Sequence, residues 1–408
     1  MLAFVLNKDG KPLMPCGPAK ARRLLKEGRA KVVRRVPLTI KLLYGSSGYR
    51  QTVIPGMDTG SKTIGSAAIG NGKVLYQAEV QLRQDVSTKL KQRARFRRTR
   101  RSRKTRYRPV RFKNRAPSRA KGRLAPSIRS KVQSHLREKA FVESILPVSQ
   151  WKAEVAEFDI HKITNPTVTG EEYQEGEQKG FYNTKCYVLH RDGYKCRSKQ
   201  KEVKHSKKLN VHHIVFREHG GSDAPSNLIT LCKSCHDALH AGMFQIKGRR
   251  SKTKHPTQTG IIKSVLGRIW DFIPTFGYET KFKREQCLKW PKTHVNDAVA
   301  ICCRDGQLVI PNACVYFKRH VAKGDYQQTR GSRSEKHIPT GKLFGFRKFD
   351  LIKTSVGTGF VKGKRSSGWF SLSDLEDHVI NPSVNVRDAI RISARTTTLT
   401  EGRHSSHT

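Results

Sequence analysis

Acidic residues are scarce in this 408-residue chain, where 32 Asp and Glu face 81 Lys and Arg and leave a formal net charge of +49 at pH 7. Such an excess works against compaction and solubility unless a polyanion neutralises much of it, so the expected partner is nucleic acid. Long apolar runs are missing as well. No stretch approaches the ~18 residues of a spanning helix, and the N-terminus lacks a signal-peptide core, so no membrane span and a cytoplasmic location are expected. Nine cysteines make an odd number with no disulfide framework, and Cys302-Cys303 sit in an apolar segment, a pattern of a reducing compartment. Hydrophobic residues, at 36%, are thin but sufficient for several compact modules.

What is present is concentrated between Arg191 and His240. The run LNVHHIV reads as a strand that turns His212 and His213 to opposite faces, so that one can bind metal while the other acts as a base. After a turn at Gly220-Gly221, Asn227 opens a second strand, Leu228 to Leu231, and Cys232-x-x-Cys235-His236 begins a short helix ending near His240. Phosphodiester hydrolysis needs a cation beside the phosphate and a neutral imidazole to take a proton from water. The ordered HH-N-CH series therefore reads as an HNH nuclease core: His213 the base, His212 and His236 ligands of Mg²⁺, and Asn227 the holder of the loop that orients the base. The competing reading is a zinc knuckle whose histidines only grip a structural metal. Cys232 and Cys235 suit half of a four-ligand zinc site, and Cys196 adds a third donor. Lys199 stands where a partner cysteine is expected, with His205 a substitute candidate.

Elsewhere, residues 1–43 read as a small basic α/β module with a helix Ala19 to Glu27. The segment TVIPGMDTGSKTIGSAAIGNGKVLYQAEV predicts three strands, with Asp58 on the first, Gly60 and Gly65 permitting close backbone approach, and a hairpin at Asn71-Gly72. From Val86 to Arg137 no acid occurs. Arginines including Arg97, Arg98, Arg100, Arg101 and Arg103 there read as a helix clamped on nucleic-acid backbone, against the alternative of a solvated tail. A helix is expected over Ser134 to Leu146, then a strand LPVSQWKAEVAEFDI carrying Glu154, with Glu157 and Asp159 as competitors. Polar linkers at 161–180 and 247–259 mark the nuclease module as an insertion. Downstream, KSVLGRIWDFIPTF predicts a helix, and His294 and Asp297 stand three apart at the start of another. The region from Val315 onward predicts a β-rich module.

Asp58, Glu154, His294 and Asp297 each fall on an element expected of an RNase H-like sheet, where such a cluster holds two Mg²⁺ for in-line phosphodiester cleavage. The order of PLMP (Pro12 to Pro15), MDTGSKTIG, an arginine-rich helix, an acid-bearing strand, an inserted HNH unit, THVNDA and a basic β-rich end resembles the IscB family of transposon-encoded, RNA-guided DNA nucleases. That resemblance implies an α/β fold: an RNase H-like (RuvC) core split by the arginine-rich bridge helix and an inserted ββα-metal HNH domain. It implies a PLMP-type RNA-binding module over 1–50, RuvC segments over 51–82, 126–178 and 247–315, the bridge helix over 83–125, HNH over 179–246, and a target-adjacent-motif module over 316–408. It further implies a RuvC site of Asp58, Glu154, His294 and Asp297, an HNH site of His212, His213, Asn227 and His236, and a monomeric protein within a ribonucleoprotein of guide RNA on double-stranded DNA. A protein-only HNH endonuclease and a non-catalytic RNA-binding protein remain as alternatives.

Overall fold

A computed structural model describes residues 2–45, 48, 50–102, 123–155, 184–198, 200, 203–216, 219, 225–246, 254–304, 306–324 and 341–404. They belong to two units, Met1–Glu157 with Gln258–Thr408, and Phe158–Thr257.

The first unit opens with β1 (Ala3–Leu6), β2 (Pro12–Cys16), α1 (Pro18–Lys26), β3 (Ala30–Arg34) and β4 (Thr39–Leu42), a four-stranded mixed sheet in the order β2-β1-β4-β3. Pro18 at the first helical turn and Gly28 at φ +66° bound α1, because proline's missing N–H costs nothing there and glycine alone takes that φ without strain. Then come β5 (Val53–Asp58), β6 (Thr63–Gly70) and β7 (Lys73–Gln81), the last two joined by Asn71 and Gly72, both at positive φ as a type I′ hairpin requires. The arginine-rich segment forms α2 (Val86–Ser102), with Arg97 and Arg98 exposed; Arg103 lies outside the described residues. Helix α3 (Pro126–Glu143) and β8 (Lys152–Val155) follow. Pro126 starts α3 two turns earlier than expected, since hydrophobic spacing alone says nothing of a proline-led first turn.

The second unit contains α4 (Thr184–Arg191), the antiparallel pair β9 (Leu209–His213) and β10 (Leu228–Cys232), and α5 (Lys233–His240).

The chain resumes the first unit through α6 (Lys254–Ile269), β11 (Ile273–Phe276), α7 (Gly277–Phe282), a π-helical stretch Lys283–Leu288, α8 (His294–Cys302) and β12 (Cys314–His320). The helix expected through IPTF stops at Ile269. Trp270 packs edge-on against Trp151 at 5.3 Å, Ile273 N–H donates to Trp151 O, and Pro274, with no N–H, suits a strand at a sheet edge. Strands β13 (Leu351–Thr354), β14 (Gly357–Lys364), β15 (Trp369–Ser373), β16 (Val379–Asn385) and β17 (Ile390–Ser393) make a five-stranded antiparallel sheet, and β18 (Thr398–His404) ends the described chain.

The central sheet has seven strands, ordered β11-β8-β5-β6-β7-β12-β18, with parallel and antiparallel pairs mixed. Thus β12 and β18, assigned by sequence to the C-terminal module, complete this sheet instead, because their register runs unbroken from Cys314 opposite His404 to His320 opposite Thr398. Its face is sealed by α3 and α6 through Val53, Met57, Ile64, Val132, Val142, Ile262 and Leu266. Within that core Lys318 Nζ meets both Glu138 oxygens at 2.8 and 3.0 Å, and Tyr76 donates to Glu138 at 2.7 Å, so the buried charge is paired and bonded. The fold is mixed α/β with several sheets.

Candidate active sites

Each unit gathers side chains suited to metal chemistry, carboxylates in the first and histidines and cysteines in the second. In the first unit, Met57 lies opposite Ala153 in the parallel pairing of β5 with β8, so Asp58 and Glu154 occupy the next step of neighbouring strands and share a face. Thr59 Oγ1 donates to Glu154 O at 2.9 Å and locks the two strand ends together. Helix α8, capped by Thr293 accepting from Asn296 N, presents His294 and Asp297 from its first turn. Glycine lets it come close. A Cβ at Gly65 would stand 1.8 Å from His294 O, and one at Gly56 2.6 Å from Cys302 Sγ and 2.8 Å from Ala298 O.

His294 Nδ1 lies 2.6 Å from Asp58 Oδ2, and this hydrogen bond, outweighing burial, raises the imidazole pKa above its ordinary value. Burial pushes the Glu154 carboxyl up, against the pull of Lys263, and repulsion from Asp58 and Asp297 adds to the rise. Lys263, itself buried, places Nζ 3.3 Å from Glu154, while buried Arg284 reaches Asp297 at 2.5 Å and Glu285 at 2.6 Å. The three carboxylates are near enough for Asp58 and Asp297 to act on Glu154, and two fixed cations, Lys263 and Arg284, offset their charge. Glu157 and Asp159 lie outside the described residues.

In the second unit, β9 buries His212 and leaves His213 half-buried, in register with Ile229 and Leu228. His236 and His240, one helical turn apart on α5, face His212, and the three rings stand 4.5 to 5.1 Å apart by centroid. Each can offer a nitrogen, all within 4.8 Å of one another. Burial and the flanking rings of His236, His240 and His213 push the His212 pKa down to about 4, which keeps it neutral and able to bind metal at physiological pH. Asn227 is buried and ties down the loop beyond β9 by gripping both main-chain polar groups of one residue: its Oδ1 accepts from Val215 N and its Nδ2 donates to Val215 O, each at 2.9 Å.

A third group braces this unit. Cys196, His205, Cys232 and Cys235 bring one donor atom each within 4.8 Å of the others, with His205 Nδ1 at 3.5 Å from Cys232 Sγ and 3.4 Å from Cys235 Sγ. Burial raises the Cys232 thiol, but the backbone N–H groups of Cys235 and Ser206 and the bond with His205 outweigh it and bring the pKa down to about 6. Three thiols and one imidazole converging in this way are a soft, tetrahedral donor set that fits Zn²⁺. Lys199 lies outside the described residues; His205 fills the fourth corner.

Sequence reading left out three residues. His240 carried a usable signal, its spacing of four from His236 on a helix. Lys263 and Arg284 carried none, being two cations among 81.

Residues 195–242 match the family described as HNH endonuclease, and residues 3–176 match the one described as RRXRR protein. Among curated proteins, anaredoxin of Nostoc sp. (strain PCC 7120 / SAG 25.82 / UTEX 2576) is similar, 35% identical over 65 residues that make up 13% of this chain and 86% of anaredoxin. The second unit thus carries the nuclease domain, and the protein is an endonuclease of the HNH class, whose members use divalent metal and act on DNA. Its RRXRR and HNH segments together fit an IscB-type nuclease with RuvC and HNH centres. Among the described residues no helix is long and apolar enough to cross a membrane.

Proposed function

We propose that the protein is an RNA-guided double-strand DNA endonuclease in which the HNH unit cuts the guide-paired strand and the carboxylate cluster, as a RuvC centre, cuts the displaced one. The observation that carries this reading is a histidine cluster in the second unit that could hold metal, with a group of neighbouring carboxylates, Asp58, Glu154 and Asp297, in the first, in a chain of net charge +49. Base pairing then supplies sequence recognition while the protein holds the heteroduplex by charge and shape. The first module and α2 hold guide RNA, with Arg97, Arg98, Arg100, Arg101 and Arg103 on its phosphates, and the C-terminal sheet reads a short target-adjacent motif. The seven-stranded sheet, interrupted between β8 and β11 by the second unit, supports an RNase H-like core split by the HNH insertion.

At the HNH centre His212, His236 and His240 would hold Mg²⁺, whose charge would offset that developing on the phosphate. His213 takes the proton from the attacking water, and Asn227 fixes the Val215 peptide so that the strand end carrying His213 keeps its aim. At the other centre Asp58, Glu154 and Asp297 would hold Mg²⁺, and His294, bonded to Asp58, would pass a proton to or from the reacting oxygens. Purifying the full chain, sequencing the RNA that accompanies it, and changing the guide segment of that RNA tests the reading. Cleavage of a plasmid should move with the guide. RNA-free protein cutting the same DNA would favour a protein-only HNH endonuclease.

A further inference from the structure

One surface feature near the carboxylate cluster has no part in holding metal. Strand β11 is the edge of the central sheet and pairs Thr275 with Glu154 of β8. Just past it, the rings of Phe276 and Tyr278 lie parallel, 4° between planes and 5.8 Å between centroids. Tyr278 is 71% exposed and Phe282, one turn on, 57%. A soluble protein gains nothing from two large aromatic rings left open beside its active site, so their exposure asks for a ligand.

Three further observations say which. The turn is rigid: Glu279 accepts from Phe276 N at 3.1 Å and from the Tyr278 hydroxyl at 3.5 Å, and Thr280 Oγ1 donates to Phe276 O. The platform adjoins the chemistry, since a Cβ at Gly277, between the two rings, would stand 3.7 Å from Glu154 Oε1. The same segment supplies exposed Lys289 and Lys292, while Lys281 is paired with Glu285 and Glu279 is held by Phe276 N and the Tyr278 hydroxyl. Flat rings next to lysines, one step from a phosphodiester-cutting centre, match an unpaired base with its phosphate rather than an apolar peptide.

We propose that Tyr278, backed by Phe276 and flanked by Phe282, is a stacking platform for an unpaired base of the single strand entering the carboxylate centre. This rests on the reading of that centre as the one that cuts the displaced strand. Because Phe276 already fixes the tyrosine ring, a base stacks on its outer face at little cost in side-chain freedom, and the backbone beside it is aimed at Glu154 and Asp58.

The test uses the full chain with its own RNA and duplex targets labelled on either strand, with an abasic position walked along the displaced strand. For the unaltered protein, one or two abasic positions near the cut should slow displaced-strand cleavage. Tyr278→Ala should slow that strand about tenfold at limiting substrate, leave the guide-paired strand at its normal rate, and abolish the effect of those abasic positions. Tyr278→Phe should restore both the rate and the abasic profile. An unchanged abasic profile in Tyr278→Ala overturns the platform, as does equal slowing of both strands, which would make the rings a docking face for protein. If Asp58→Ala still cuts the displaced strand, the reading of the carboxylate centre falls instead, whatever Tyr278 does.

Discussion

His294 and Asp58 are 236 residues apart in sequence and 2.6 Å apart in space, joined Nδ1 to Oδ2 across the junction of α8 with β5. The bond ties the one imidazole of the first cluster to the carboxylate at the end of a central strand, while the histidine cluster of the other unit is built wholly within about 30 residues.

Because the two clusters share no residue, each should fail alone. His213→Ala is expected to abolish cutting of the guide-paired strand and spare the other, and Asp58→Ala to do the reverse. Strand-labelled plasmid cleavage reads both, and loss of both cuts in either variant would refute the division of labour.

His240→Ala should raise the Mg²⁺ or Mn²⁺ concentration for half-maximal cutting of the guide-paired strand by about tenfold or more, since even outer partners of metal ligands cost 10–100-fold when removed. The displaced strand serves as internal control. An unchanged metal titration would take His240 out of the ligand set.

Cys232→Ser should release zinc and melt the second unit. Structural zinc binding is folding free energy, and Cys232 joins β10 to α5, the helix that carries His236 and His240. Elemental analysis should fall from one zinc per chain to none, and protease should cut within 184–246 first. A variant without zinc but fully resistant would show the cluster to be dispensable.

Acid should weaken the first unit. Burial pushes His135 down to about 4 and His320 to about 3, both from an ordinary 6.5, so each is neutral when folded and protonates when unfolded. The folded pKa lies below the unfolded one, so their contribution is complete above pH 6.5 and is lost as pH falls from there toward 3 to 4. By pH 5 the loss is about 2 kcal/mol per histidine. Melting temperatures at pH 7.5 and 5 should differ by several degrees, and His320→Gln should narrow the gap; a gap unaltered by the substitution would assign the acid loss elsewhere.

Replacing Arg97, Arg98, Arg100 and Arg101 with Ala should weaken RNA binding and flatten its dependence on salt by about 3 in log–log slope, as four released counterions predict. Equal slopes for variant and unaltered protein would remove α2 from RNA contact.

The HH-N-CH series was legible because its chemistry is local: one hairpin and one helix hold every residue, so spacing alone predicts faces. The carboxylate cluster was legible as residues but not as a bonded arrangement, for Lys263 meets Glu154 from 109 residues away and a lysine in so basic a chain carries no signal. At the zinc corner Lys199 breaks the familiar Cys-x-x-Cys spacing and leaves His205 as a candidate only; the approach of its Nδ1 to the Cys232 and Cys235 thiols is what selects it. The strand at Ile273–Phe276 was read as helix because Trp270 and Ile273 keep a helical spacing of three, and only their packing on Trp151 shows that the helix has ended.

Gly65 bears no functional group, yet a single hydrogen there sets the clearance between the sheet and α8, since the carbonyl of His294 occupies the place a methyl would need. The helix that delivers Asp297 is therefore seated like a part machined to a gauge, and the clearance between its first turn and β6 is fixed by the smallest side chain available. Any substituent would act as a wedge, lifting the first turn of α8 away from the sheet that carries Asp58. The placing of His294 and Asp297 is thus adjustable from a position that no inventory of acids, bases or metal donors would include.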